Sequence, residues 1–116
     1  MSWRFIDLGN ITGVESASTF EAVGRCCSRR LSPNTILFWY VGRPCIYLGY
    51  HQLVMHEVDV AECRRRGVHL VRRLLGGGCA YCDRNQLLYS VITDPGRSRV
   101  PCRIQDAYRF ILKGVT

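Results

Sequence analysis

A chain of 116 residues, 47% hydrophobic and 22% charged, holds enough apolar sequence for one domain around one core and no more. Its formal charge of +7, in which Lys113 is the sole lysine among 16 basic residues, favours anionic partners without choosing among nucleotide, nucleic acid and acidic protein. No apolar run approaches the ~20 residues of a membrane span, and Asp7 interrupts the N-terminal run too early for a secretory signal, so a cytoplasmic protein without membrane association is expected.

In chain order, residues 3–8 read as a short strand. Ala17, Phe20, Val23, Cys27 and Leu31 fall at helical spacing and predict an amphipathic helix over residues 15–30, ended by Pro33 and Asn34. Residues 35–41 form a β-branched and aromatic run. Gly42-Arg43-Pro44 is a turn and residues 45–50 a second strand, so the pair reads as a hairpin. Residues 58–66 predict a helix closed by Gly67. Residues 68–74 form a strand, and residues 86–93 are expected as its antiparallel neighbour. Past Pro95-Gly96, the positions Ile104, Ala107, Tyr108, Ile111, Leu112 and Val115 repeat with the period of an amphipathic helix. The order implies an α+β domain with a largely antiparallel sheet and helices packed on one face.

The chemistry concentrates at Arg72-Arg73-Leu74-Leu75-Gly76-Gly77-Gly78-Cys79-Ala80-Tyr81-Cys82-Asp83. Three glycines allow φ > 0 without a Cβ, so several N–H groups can turn toward one anion. Two guanidiniums add planar forks suited to phosphate or carboxylate. No lysine follows the glycines, so this is not a Walker loop.

Seven cysteines, an odd number, predict reduced thiols rather than a disulfide framework. Cys79 and Cys82 have C-x-x-C spacing, but positions three apart on a strand point to opposite faces, so no metal site is expected. Cys79 beside Arg72 and Arg73 could carry a lowered pKa. His51, His56 and His69 form no catalytic arrangement, and Arg64-Arg65-Arg66 reads as a solvated helix end, with docking of an acidic carrier or nucleic acid as the alternatives. No nucleic-acid-binding motif appears, and no nucleic-acid partner is expected.

With these motifs in place, the chain resembles the lipoate–protein ligase A family, within the biotin/lipoate ligase and octanoyltransferase superfamily. The likeness rests on residues 35–52, which look like the family's hairpin with its glycine–aromatic–x–glutamine ending, on the arginine–arginine–x–x–glycine–glycine–glycine–x–x–x–histidine–aspartate motif over residues 67–83, and on Leu88-Tyr89-Ser90. It implies a class II synthetase/biotin-ligase-like α+β fold, of which residues 1–116 are the truncated front part. It also implies ATP (with Mg2+) and lipoate as substrates, joined as lipoyl-adenylate, and an acidic lipoyl-carrier domain as acceptor. Arg73, Gly76, Gly77, Gly78, Cys79, Ala80 and Tyr81 would contact the nucleotide and the acyl-adenylate. Leu48, Gly49, Tyr50, Leu87 and Leu88 would line the acyl pocket. Cys82 stands where the family has histidine, ahead of the motif's aspartate, Asp83, and Arg84-Asn85-Gln86 replaces the family's x–glycine–asparagine. The family's catalytic lysine lies on a later segment and Lys113 does not match it, so a missing segment or a second subunit would complete the site. Two further readings are a non-catalytic homologue and an octanoyltransferase working through a thioester on Cys79 or Cys82.

Overall fold

A computed structural model describes residues 2–115. Its elements are β1 (Trp3–Ile11), α1 (Gly13–Ser28), β2 (Asn34–Val41), β3 (Cys45–Leu48), α2 (Val54–Glu57), α3 (Val60–Arg65), β4 (His69–Arg72), β5 (Ala80–Cys82), β6 (Leu88–Ile92), a 3-10 turn at Pro95–Arg97, and α4 (Ile104–Leu112).

Local chemistry explains the best-defined boundary. Thr12 Oγ1 accepts the Glu15 N–H at 3.1 Å while Glu15 Oε1 accepts the Thr12 N–H at 3.2 Å. This reciprocal capping box satisfies two donors that the first helical turn leaves open. It starts α1 two residues earlier than hydrophobic spacing alone predicts.

The strands form two three-stranded sheets, β1-β2-β6 and β4-β3-β5. In each, one pairing is parallel (β1 with β2, β3 with β4) and one antiparallel (β2 with β6, β3 with β5). Both parallel pairs are joined through helices, as a parallel connection requires. The α+β class therefore holds, with strand senses evenly mixed rather than largely antiparallel.

Two expected pairings are corrected. The runs before and after Gly42-Arg43-Pro44 do not form a hairpin: β2 lies between β1 and β6, so both its edges are occupied and the chain passes to the other sheet. Gly42 donates its N–H to Asn10 Oδ1 at 2.7 Å, which ties this turn to the end of β1. Likewise β6 pairs with β2 and not with β4, whose partner is β3.

Leu37, Trp39 and Val41 from β2, Cys45 and Tyr47 from β3, Val71 from β4 and Cys82 from β5 form the buried core, flanked by Ala17, Phe20 and Val23 of α1. Helix α1 packs on β2 and β6 of one sheet and on β4 of the other. A hydrogen-bond chain runs through this junction: Trp39 Nε1–H donates to Tyr47 Oη at 3.3 Å, Tyr47 Oη meets Ser16 Oγ at 2.6 Å, and Ser16 Oγ donates to Gly13 O at 2.7 Å. Every buried polar group in it is partnered, as a dry interior demands. Helix α4 forms where its periodicity predicts but buries none of its residues.

Candidate functional site

The glycine bend is built on the ends of β3 and β4. The Arg73 N–H donates to Leu48 O at 2.9 Å, which carries the β3–β4 pairing one residue past the strand. Successive extended residues point opposite ways, and the two arginines separate accordingly. Arg72 Nη1 donates to Gly49 O at 3.0 Å, Tyr50 O at 3.2 Å and Gln52 O at 2.7 Å. Arg73 Nη2 donates to Gly76 O at 3.2 Å and Gly78 O at 2.6 Å, and its Nε is buried without a partner.

The bend then folds back over β3. Tyr50 donates its N–H to Leu75 O at 2.8 Å. Gly49 lies so close beneath Gly77 that a Cβ on it would collide with the Gly77 carbonyl oxygen. Of the three consecutive glycines only Gly77 takes a left-handed φ, +105°, which an L side chain rarely adopts. Residues 74–81 are all exposed. Among the described residues, the N–H groups of Gly76, Gly77 and Gly78 have no protein acceptor. These are solvated donors on a bend whose carbonyls are held by a cation, a chemistry suited to an anion.

The five residues expected at an acyl pocket are drawn from both sheets and the loops beside them. Leu48, Gly49 and Tyr50 lie at the end of β3, beside or under the bend, with Leu48 buried and the Tyr50 ring exposed edge-on to His51 at 5.0 Å. Leu88 sits in the other sheet opposite Trp39, and Leu87 is exposed just before it. A cavity of about 430 Å3 opens between α1, β6 and the start of the bend, with Phe20, Gly24, Leu74, Leu75, Val91 and Ile92 as its apolar part and Glu21, Arg25, Ser28, Ser90 and Thr93 as its polar part. The sequence signal for it was the leucine pair between the arginines and the glycines. Its other walls come from segments far apart in the chain.

The two motif cysteines differ in kind. Cys82 is buried in β5, and burial, then the Asp83 charge, pushes its thiol above the ordinary range, with Arg73 opposing. A thiol held protonated is a poor nucleophile. Cys79 is exposed, but its Sγ lies 4.0 Å from Glu57 Oε2, while the neighbouring guanidinium donors lie against backbone carbonyls. Asp83 shapes the β5–β6 turn: its Oδ1 accepts the Asn85 N–H at 2.9 Å, and its own N–H donates to Gln86 Oε1 at 2.8 Å. Asn85 and Gln86, two of the positions that differ from the motif, thus close this turn on Asp83.

Elsewhere, Lys113 is the exposed C-cap of α4. Arg65 and Arg66 both pair with Glu62 of their own helix, which accounts for two of the three clustered arginines. All seven cysteines are free thiols. Among the described residues no group of three His, Cys, Asp or Glu side chains converges, and no helix is long and apolar enough to cross a membrane.

The profile of the lipoyl protein ligase A/B catalytic domain matches residues 17–116. Octanoyltransferase LipM of Anoxybacillus flavithermus is 34% identical over 113 residues, 97% of this chain and 40% of the relative. A crystal structure of lipoate-protein ligase A bound with ATP superposes with a TM-score of 0.82 at 28% identity, covering 99% of this chain and 44% of that one. A bi-partite lipoate protein ligase from Thermoplasma acidophilum, studied with its E2 lipoyl domain, superposes at 0.73 with 27% identity, again over 99% of this chain and 43% of that one. The chain spans less than half the length of each.

Proposed function

Because the chain belongs to the lipoyl protein ligase A/B catalytic-domain family, we propose that it is the acyl-recognising part of such a domain, handling an octanoyl or lipoyl group on its way to a lysine of a lipoyl-carrier domain. The observation that carries the octanoyl choice is the 34% identity to an octanoyltransferase over almost the whole chain. The geometry supports an acyl ligand: an apolar cavity beginning at Leu74 and Leu75 adjoins a bend offering the solvated N–H groups of Gly76, Gly77 and Gly78. A medium-chain acid needs this pairing of an apolar slot for the tail and N–H donors for its charged end. In the transfer, the carrier amine attacks the acyl carbonyl of a thioester. The C–N bond forms, the C–S bond breaks, and the departing thiolate takes up the proton that the amine loses. Glycine-loop donors would stabilise the oxyanion that develops between these events. A cytosolic setting goes with free thiols and a lipoyl-carrier acceptor.

A second reading is ATP-dependent activation of lipoate, supported by the likeness to a ligase bound with ATP. Here Gly76, Gly77, Gly78, Cys79, Ala80 and Tyr81 would face the adenylate, and Arg73 would exchange its contacts with Gly76 O and Gly78 O for phosphate oxygens. Mg2+ would then arrive on the nucleotide phosphates.

Calorimetry on the full chain with octanoate, lipoate and ATP–Mg2+ in turn separates these readings. Acyl binding without nucleotide binding, weakened by Leu75→Asp, is expected for the transferase. Nucleotide binding weakened by Arg73→Ala would favour the ligase, and no heat with either acid would defeat both.

A further inference from the structure

We propose that Arg72 is a positioning residue: one guanidinium nitrogen fixes the Gly49–Gln52 turn at the end of β3, so that this turn and the glycine bend behave as a single rigid unit. The sequence resemblance assigns a ligand contact to Arg73 and nothing to Arg72, and the geometry supplies a distinct task for the second cation.

Three carbonyl oxygens, from Gly49, Tyr50 and Gln52, converge on Arg72 Nη1 at 3.0, 3.2 and 2.7 Å. Three carbonyl dipoles aimed at one point repel unless a cation sits there. A guanidinium is permanently charged and can point N–H groups at several acceptors. The turn is closed by two more bonds, Gly49 N–H to Gln52 Oε1 at 2.9 Å and Gln52 N–H to Gly49 O at 3.1 Å. Gly49 is also the residue on which Gly77 rests, and Tyr50 is the residue whose N–H holds Leu75. Leu75 in turn lines the apolar cavity. One cation therefore fixes the turn, the turn fixes the bend, and the bend sets both the cavity wall and the anion donors. Arg73 cannot substitute, because its Nη2 is committed to Gly76 O and Gly78 O within the bend itself. Arg72 is exposed, so its replacement removes these bonds without opening the core.

The clamp stands on geometry alone, while its consequence for ligand rests on the function proposed above. The test is amide hydrogen exchange on the full chain, paired with calorimetric titration of lipoate. In Arg72→Gln the Tyr50 and Gln52 amides should exchange at least tenfold faster with the core amides of β2 unchanged, and lipoate affinity should fall at least tenfold. Arg72→Lys, which returns a cation with three N–H donors, should recover part of both. Unchanged exchange at Tyr50 and Gln52 would overturn the clamp. Faster exchange with lipoate affinity within twofold of the parent would overturn its positioning role. A parent chain that binds neither lipoate nor, titrated in the same way, octanoate would refute the function proposed above, and exchange would then decide the clamp by itself.

Discussion

At Gly49 a single hydrogen atom decides whether the bend can close. A methyl group there would meet the Gly77 carbonyl oxygen, which is backbone and cannot swing aside as a long side chain would. Gly49→Ala should therefore displace residues 75–78 and cost roughly 1–3 kcal/mol, the range for overpacking a closed contact. The urea midpoint should fall and the Tyr50 amide should lose protection, whereas full protection would mean that the bend does not rest on Gly49. Cys45 makes a second residue-scale test. Burial pushes its thiol up to about 11, against 9.0 for the free group. The unfolded chain thus releases this proton from about pH 9, while the folded chain holds it to about pH 11. Stability is fully present below pH 9 and is lost as pH rises through that window; Cys82 and Tyr47, also shifted upward, add to the loss. Urea midpoints measured from pH 8 to 11 should fall, and less steeply for Cys45→Ala. Iodoacetamide at neutral pH should label Cys26, Cys79 and Cys102, the exposed cysteines, and leave Cys45 unmodified.

Among the elements, the junction of α1 with both sheets depends on the Trp39–Tyr47–Ser16 chain, since its three members come from β2, β3 and α1. Tyr47→Phe keeps the ring but leaves Trp39 Nε1 without an acceptor and Ser16 with only its bond to Gly13 O. A buried donor so orphaned costs about 1–3 kcal/mol, and thermal unfolding should show it as a lower midpoint with unchanged far-ultraviolet circular dichroism. An unchanged midpoint would mean that water replaces the lost hydroxyl. What the sequence made legible at this scale follows from range. Helical spacing announced α1 and α4, and β-branched and aromatic runs announced β2 and β3, because those signals are local. Strand pairing is not local. Nothing within residues 35–50 says that both edges of β2 will be taken by β1 and β6, so a tight Gly42-Arg43-Pro44 link reads as a hairpin even though it crosses between sheets. The start of α1 was legible in principle, through the Thr12 and Glu15 capping pair, but periodicity reports only where apolar residues begin to repeat.

Over the whole molecule, the glycine bend with its paired arginines was legible because its residues lie within a dozen consecutive positions. The apolar cavity was not, since Phe20, Leu74 and Val91 meet only after the two sheets and α1 have assembled. The same assembly leaves one side of the β1-β2-β6 sheet aromatic and open. Phe5, Phe38 and Tyr89 form a row across its three strands, with ring centroids 4.9 and 6.3 Å apart, and Phe5 is 58% exposed. Beyond it, Trp3 and Val100 share a cavity of about 500 Å3 with Phe110 of α4, a helix whose Ile104 and Tyr108 are 74% and 64% exposed. Clustered apolar side chains exposed to water favour association between copies of the chain. Association works against the +7 charge of the chain, whose mutual repulsion is screened by salt. The two effects have opposite salt dependence, which makes the prediction sharp. Light scattering on the isolated chain should show a mass above 13.3 kDa that rises with protein concentration and rises further from low to moderate salt. Phe5→Arg with Tyr89→Glu, on exposed positions of the aromatic row, should return a monomer with an unchanged circular dichroism spectrum. A parent chain that stays monomeric at every salt concentration would show that charge outweighs the aromatic face, and association that survives the double substitution would move the contact to α4.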